Sequence, residues 1–224
     1  MASYCIGDLS RREILKISSV VAGAAMMFSS KLALAQALLR RTPGQILGPF
    51  YPLNDIWGKG ADLTRPREGS GQASGQVLHV AGRVLNLSGE PVRNAKIEVW
   101  QANAHGRYRH PSDSNPAPLD PNFDGAAVLT TDAEGRYGFK TIKPGAYPAG
   151  PNTIRPPHIH FQVTGREDRL VTQLYFENEP YNDTDRFLNT AEAKELLIAK
   201  LLPPPPELEP ESKLAKFDIV LFRG

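Results

Sequence analysis

The chain has 224 residues, with 26 Lys and Arg against 24 Asp and Glu, a single Cys and three Met. The Cys and all three Met lie within residues 1–35, so residues 36–224 contain no sulfur. This excludes disulfides, thiolate catalysis and Cys-ligated zinc or iron–sulfur sites from the main body of the chain. The same body is formally neutral, which argues against a nucleic-acid binder, and its size fits one globular domain.

Residues 1–35 have the pattern of an export signal. Residues 10–16 read SRREILK, a short apolar run follows, and residues 33–35 read ALA, a small-residue cleavage pattern. The segment resembles the twin-arginine signal, and the apolar run is too short to span a bilayer core. A membrane anchor and an amphipathic surface helix are the alternatives. We therefore expect an exported, periplasmic or otherwise extracytoplasmic protein that keeps no membrane anchor once the signal is removed.

The remaining chain divides into residues 36–76 and 77–224. Frequent Pro and Gly, then a Gly/Ser-rich link at 69–76, predict an extended arm over the first range. Short alternating segments bounded by Gly, Pro and Asp turns predict an all-β sandwich of mainly antiparallel strands over the second. The predicted strands are Val77–Asn86, Ala95–Gln101, Arg136–Ile142, His158–Thr164, Leu170–Glu177 and Lys216–Phe222.

One helix is predicted in the C-terminal half. Asn189 provides an N-cap, Glu192 follows three residues later, and the helix is expected to run to Leu202. The four prolines at 203–206 would end it and continue as a stiff extended segment.

A pair of histidines is the first sign of chemistry. His158 and His160 alternate with Ile159 in a predicted strand, so both imidazoles point to one face. Such a pair can begin a metal site, although it also occurs on solvated sheet faces. Tyr108 and Tyr147 lie at strand-to-loop transitions, where a buried hydroxyl needs a partner.

Four motifs in order resemble the intradiol ring-cleavage dioxygenases, in particular the protocatechuate 3,4-dioxygenase branch. Two further segments, Gly48–Pro52 and Asp120–Phe123, extend the similarity over most of residues 42–181. The four motifs are Trp100–Arg109, Pro144–Pro148, Arg155–Phe161 and Thr172–Phe176.

The resemblance implies a site and a reaction. It places one Fe(III) per chain on Tyr108, Tyr147, His158 and His160. Tyr147 would also act in catalysis, together with Arg155, which would stabilise charge on the substrate ring, and Gln173 beside it. The implied partners are O2 and a catechol-type aromatic, cleaved between its hydroxylated carbons to a cis,cis-muconate-type diacid.

The arm and two departures from the family pattern bear on the substrate. Gly48, Pro49 and Tyr51 would approach the substrate, and Arg155 would contact it. Pro157 and Ala149 stand where the family often has Ala and Trp, so the ring substituent stays open, as does assembly into an oligomer. A non-catalytic transthyretin-like binding module and a copper-handling protein using the His pair are the alternatives, the second disfavoured by the absence of Met and Cys ligands.

Overall fold

The computed structural model describes residues 39–53, 57, 60–65 and 71–224. The predicted export signal lies outside the described residues. Within these ranges the chain forms eleven strands, one helical turn (α1) and two 3-10 turns. They are β1 Val77–Leu85, β2 Lys96–Gln101, β3 Ala126–Thr130, β4 Arg136–Ile142, β5 Tyr147–Gly150, β6 Thr153–Arg155, β7 His158–Thr164, β8 Arg169–Phe176, the 3-10 turn Asn182–Thr184, α1 Arg186–Asn189, the 3-10 turn Lys194–Leu197, β9 Ile198–Ala199, β10 Lys213–Lys216 and β11 Ile219–Val220.

The strands build two sheets and a separate hairpin. The larger sheet has the order β3-β2-β7-β8-β9, antiparallel except for the β8–β9 pair. In the smaller sheet β1 pairs with β4 antiparallel on one side and with β10 and β11 in parallel on the other. The strands β5 and β6 form the hairpin, with a register shift between Pro148 and Gly150. The predicted all-β sandwich is therefore confirmed, with parallel pairs at its edges.

The core lies between the two sheets. Strict alternation turns Ile159, Phe161 and Val163 of β7 towards it, all fully buried. The ring of Phe161 meets those of Phe139 and Phe217 at centroid distances of 6.0 and 5.2 Å. Burial of each such aromatic ring contributes roughly 2 kcal/mol, so this layer holds the larger sheet flat against its partner.

The opposite face of the larger sheet carries many polar side chains, and it too is covered by other parts of the chain rather than exposed to water. The N-terminal arm runs beside β8. The backbone amide of Gln45 donates to the carbonyl of Val171 at 2.8 Å, and the side-chain amide of Gln173 donates to the carbonyl of Ile46 at 2.8 Å. Residues 48–51 then cross the outer face. Side chains of β2, β7 and β8 that would meet water in an ordinary two-layer sandwich are buried there as a result.

The prediction of a helix from Asn189 to Leu202 is wrong. The helical turn α1 ends at Asn189, and its N-cap is Asp185, whose carboxylate accepts from the Leu188 amide at 2.8 Å. Residues 198–199 pair with the end of β8 as a parallel edge strand, which draws this segment into extended backbone and leaves room only for a 3-10 turn before it. Tertiary pairing overrides local helix propensity here.

The predicted C-terminal strand is divided. The Gly82 position explains the break, because a Cβ at Gly82 would lie 1.8 Å from the carbonyl oxygen of Phe217. This oxygen faces Gly82 of β1 and accepts from the Tyr137 hydroxyl at 2.5 Å; the Phe217 amide still donates to the Ala81 carbonyl at 3.0 Å, and the regular ladder resumes at Ile219. Among the described residues, no helix has the length and apolar character needed to cross a membrane.

Candidate metal centre

The strand β7 presents His158 and His160 on the covered outer face, with relative exposures of 1% and 2%. Nδ1 of His158 lies 2.7 Å from the carbonyl oxygen of Pro156. A carbonyl only accepts, so Nδ1 carries the proton and Nε2 presents its lone pair. Burial, then the charge of Arg155, lowers the pKa of both histidines well below the ordinary value, which keeps both rings neutral.

His160 is held differently. Its ring lies flat against that of Trp100, with centroids 4.8 Å apart and planes 10° apart. Its Nδ1 is buried and has no hydrogen-bond partner among the residues that the structure describes. Gly48, with φ of 78°, comes so close that a Cβ there would lie 3.2 Å from Cε1 of His160. On the Nδ1 side, packing rather than a hydrogen bond therefore fixes this imidazole.

The two tyrosines are placed by two interlocked loops. In the first loop the side-chain oxygen of Asn103 accepts from the amides of His105 and Arg107, and the Gly145 amide of the second loop donates to the Asn103 carbonyl at 2.9 Å. A Cβ at Gly106 would lie 2.2 Å from the carbonyl oxygen of Ala146, so only glycine permits this approach.

The four predicted ligands meet behind these loops. Nε2 of His160 lies 3.1 Å from both Nε2 of His158 and the hydroxyl of Tyr108, and the Tyr108 hydroxyl lies 3.5 Å from Nε2 of His158. The Tyr147 ring packs edge-on against Tyr108, at a centroid distance of 5.3 Å, and 5.6 Å from the His158 ring. The structure thus brings all four side chains to one buried point.

The protein environment by itself disfavours the tyrosinate forms. Burial, reinforced by the neighbouring Tyr147, raises the pKa of Tyr108 well above its ordinary value. Burial also raises the pKa of Tyr147, and the guanidinium of Arg155 opposes that rise. A cation at the centre would reverse the balance, since a metal ion stabilises an anionic ligand directly.

These donors fit a small metal ion. Metal–nitrogen and metal–oxygen bonds of about 2 Å place neighbouring donors about 3 Å apart, close to the separations of the three atoms above. Two phenolates with two neutral imidazoles suit a hard, highly charged ion such as Fe(III). Elsewhere in the described ranges, no group of three or more His, Cys, Asp and Glu side chains could hold a metal.

Arg155 and Gln173 lie beside the ligands. Both are buried, and Nη2 of Arg155 donates to the Gln173 side-chain oxygen at 2.9 Å and to the Tyr175 hydroxyl at 2.7 Å. Nε donates to Asp185 at 2.6 Å. Burial acts to lower the pKa of Arg155, but its neighbours Tyr175, Tyr147 and Asp185 outweigh burial and raise it, so the guanidinium stays charged.

The predicted substrate-binding arm is only partly at the ligands. Gly48 touches His160, and Pro49 is exposed next to it. Tyr51 lies behind Trp100, edge-on at a centroid distance of 5.1 Å, and its hydroxyl donates to Glu98 at 3.1 Å. This position gives Tyr51 a packing role, and substrate contact by Pro49 and Tyr51 stays a prediction.

Three residues that contact the site residues were not predicted from the sequence. Asp185 lies in a polar loop with no motif, Trp100 carried no signal of stacking, and Tyr175, within the Thr172–Phe176 motif, was given no role in the site although its hydroxyl contacts Arg155. Strand alternation could have found Tyr175, because it stands opposite His158 in the β7–β8 register and therefore shares its face.

In this β-sandwich two tyrosines and two neutral histidines converge on one buried point, a donor set that could hold a non-haem metal ion. The chain belongs to the intradiol ring-cleavage dioxygenases: a family model described as "Dioxygenase" matches residues 46–222. It is 49% identical over 179 residues to a protocatechuate 3,4-dioxygenase beta chain of Burkholderia cepacia, covering 77% of this chain and 76% of that one. The predicted resemblance, including its protocatechuate 3,4-dioxygenase branch, is confirmed.

Two further comparisons agree. A catechol 1,2-dioxygenase 2 of Acinetobacter lwoffii is 35% identical over 158 residues, covering 62% of this chain but only 53% of the relative. A solved structure of 3-chlorocatechol 1,2-dioxygenase from Rhodococcus opacus 1CP superposes with a TM-score of 0.66 at 23% identity, over 93% of this chain and 78% of that one. The chain therefore spans about half the length of the catechol-type relative, and the solved structure supports the shared sandwich fold.

Proposed function

We propose that this protein is an exported enzyme that uses Fe(III) and O2 to cleave a catechol-type aromatic between its two hydroxylated carbons, giving a cis,cis-muconate-type diacid. The observation that carries the proposal is the convergence of Tyr108, His158 and His160 donor atoms within 3.1 to 3.5 Å of one another, with Tyr147 beside them. Membership of the intradiol family supports the reaction type.

Tyr108, Tyr147, His158 and His160 would hold one Fe(III) per chain. An ion held there would supply Lewis-acid chemistry towards the catechol oxygens. Two phenolates offset most of its charge in a buried environment, which limits the cost of placing a trivalent cation there.

Tyr147 is suited to exchange a proton. It is the more exposed of the two tyrosines, at 7% against 3%, and it stands opposite Arg155 across the β5–β6 hairpin. Burial raises the pKa of the phenol while the guanidinium opposes that rise, so the surroundings of Tyr147 favour its protonated form whenever no cation holds the oxygen. In this role the Tyr147 oxygen takes up a proton as a catechol loses its own.

Arg155 supplies fixed positive charge where negative charge develops on the substrate ring. Gln173 holds the guanidinium from one side at 2.9 Å and is itself tied to the arm through the Ile46 carbonyl at 2.8 Å. A donor that is already in place needs no reorganisation during the reaction, which is the usual source of electrostatic catalysis. The arm also covers the histidine face and excludes water from it.

The reaction class is tested on protein loaded with iron. We expect about one iron per chain, a visible tyrosinate-to-ferric charge-transfer band, and O2 uptake with catechol, protocatechuate, hydroxyquinol or a larger lignin-derived catechol. Product identification completes the test. Iron-loaded protein without the band, or extradiol products, would refute the proposal, and a transthyretin-like binding module would take up no iron at this site.

Export is a separate part of the proposal and rests on residues 1–35 of the sequence. Replacement of both Arg11 and Arg12 by Lys keeps the charge but removes the twin-arginine pair. We expect the variant to remain unprocessed inside the cell while the wild-type chain appears, shortened, outside the cytoplasmic membrane. Equal export of both chains would contradict twin-arginine export and leave the proposed reaction untouched.

A further inference from the structure

The short turn α1 lies against Arg155 on two sides. Asp185, its N-cap residue, accepts from Nε of Arg155 at 2.6 Å, and both side chains are almost fully buried, at 2% and 4% exposure. Phe187, two residues further on, places its ring 4.7 Å from the guanidinium carbon. The turn α1 and its N-cap residue therefore supply both a carboxylate and an aromatic face to the same cation.

The second carboxylate oxygen of Asp185 has another task. It accepts from the Leu188 amide at 2.8 Å, so the same side chain caps the N-terminus of α1 and orients the guanidinium. Because α1 is fixed by this cap and by burial of Leu188, the direction of the Arg155 fork is tied to the position of the turn.

The other hydrogen-bond partners of Arg155 do not by themselves fix the orientation of its guanidinium. The Gln173 side-chain oxygen is shared, since it also accepts from the Tyr175 hydroxyl at 2.8 Å. The Tyr175 hydroxyl, which has only one proton to donate, also lies 3.1 Å from the side-chain oxygen of Gln45 in the arm. These neutral partners meet only Nη2, whereas Asp185 holds Nε and is the one carboxylate that the structure records as an ion-pair partner of Arg155.

We propose that Asp185 is a positioning residue for the proposed ring cleavage: it fixes the Arg155 guanidinium in the orientation that stabilises charge on the substrate ring. This inference rests on the proposed function. Misplacement of a catalytic group by about 1 Å can cost about a hundredfold in rate, so the loss of this carboxylate should slow turnover without removing the metal.

The test separates orientation from helix capping. Asp185→Ser and Asp185→Asn both retain an N-cap oxygen but lose the carboxylate. We expect kcat to fall between about tenfold and a hundredfold in both, with a smaller change in KM and with unchanged iron content and charge-transfer band. Asp183→Asn, an exposed carboxylate in the same loop, is the matched control and should match the wild type.

A double-mutant cycle with Arg155→Lys tests whether Asp185 acts through Arg155. In that background Asp185→Ser should change kcat by less than twofold, because the guanidinium fork that it orients is already gone. The unfolding free energies of the same four iron-loaded proteins give a readout apart from activity, and they should likewise be non-additive. Additive effects in both cycles would overturn the inference.

The outcomes distinguish this inference from the proposed function. If the iron-loaded wild type cleaves no catechol, the proposed function fails and takes this role with it. If the wild type is active and both capping variants of Asp185 keep full kcat, only the positioning role is overturned.

Discussion

Trp100 lies flat on His160, with ring centroids 4.8 Å apart and ring planes 10° apart. The two residues stand opposite each other in the β2–β7 register, so the sheet itself sets the stack. His158 has a backbone carbonyl to fix its ring, whereas Nδ1 of His160 has no hydrogen-bond partner among the described residues. The orientation of His160, one of the four proposed iron ligands, therefore depends on an aromatic neighbour.

We expect Trp100→Leu to weaken iron binding by about tenfold to a hundredfold, the range for partners that orient metal ligands. Competition with a chelator measures the change. Trp57→Leu is the control, because the recorded ring contact of Trp57 is with Tyr51, edge-on at a centroid distance of 5.6 Å, and not with His160. An equal loss of iron in both variants would contradict a specific role for the stack.

Gly106→Ala should separate the two tyrosine loops. Its φ is 78°, and a Cβ would meet the carbonyl oxygen of Ala146 at 2.2 Å, so the Tyr108 loop must move away from the Tyr147 loop. Gly150→Ala has the matched design, since its φ of 143° is also strained but nothing lies within 4 Å of a Cβ there. Because the strained φ is common to both, the steric contact alone should make Gly106→Ala lose about 1–3 kcal/mol more unfolding free energy than the control in urea.

Iron occupancy distinguishes a distortion of the site from a general loss of stability in the same pair. Gly106→Ala should bind less iron at a temperature where both variants are folded, while Gly150→Ala should fill normally. Full occupancy of Gly106→Ala would show that the loop contact does not position Tyr108.

We expect His160→Ala and Arg155→Ala to have different effects, the first on iron binding and the second on turnover. Removal of His160 takes away a ligand, so we expect no iron to remain after dialysis. Arg155→Ala should keep iron and its visible band but lose turnover. It also leaves Asp185 as a buried, unpaired carboxylate, at a cost of about 3–5 kcal/mol, so the comparison is made at low temperature.

Combining Arg155→Ala with Asp185→Ser removes the unpaired charge and provides a control for stability. The double variant should recover much of the lost unfolding free energy and remain inactive. Equal iron loss in His160→Ala and Arg155→Ala would contradict the division of roles between ligand and electrostatic group.

The sandwich and the histidine pair could be predicted from the sequence because they rest on local patterns, whereas features that depend on contacts between distant residues could not. The pair His158 and His160 is local, and strand alternation is enough to place both rings on one face. The contact of Asp185 with Arg155 joins residues 30 apart through a buried ion pair, and no spacing rule reports that. Edge strand β9 was missed because pairing with β8, rather than the propensity of Ile198 and Ala199, makes that segment extended.

Away from the metal centre, Glu209 provides a prediction for pH dependence. Its carboxylate receives hydrogen bonds from Lys140 and from His79, the latter at 2.7 Å, and so ties the C-terminal segment to β1 and β4. Burial opposes its ionisation, but the hydrogen bonds from these two residues outweigh burial and lower the pKa of Glu209 from 4.5 to about 2.

The direction in which pH changes the stability follows from the shift in the pKa of Glu209 between the unfolded and folded states. Because the folded-state pKa of Glu209 lies below the unfolded value, its contribution is fully present above about pH 4.5 and is lost as the pH falls towards 2. We therefore expect Glu209→Gln to be less stable at pH 7 and to show a flatter dependence of unfolding free energy on pH between those limits. The side chain is 48% exposed, so the loss at pH 7 should be about 1 kcal/mol.

Urea unfolding at intervals from pH 7 to pH 2.5 measures this contribution directly. Glu211→Gln removes the same charge from an exposed neighbour two residues along the same segment and serves as the control. Only Glu209→Gln should converge with the wild type as the pH falls, because protonation removes from the wild type what the substitution has already removed. Parallel curves for Glu209→Gln and the wild type down to pH 2.5 would show that the contacts with Lys140 and His79 do not stabilise the folded chain.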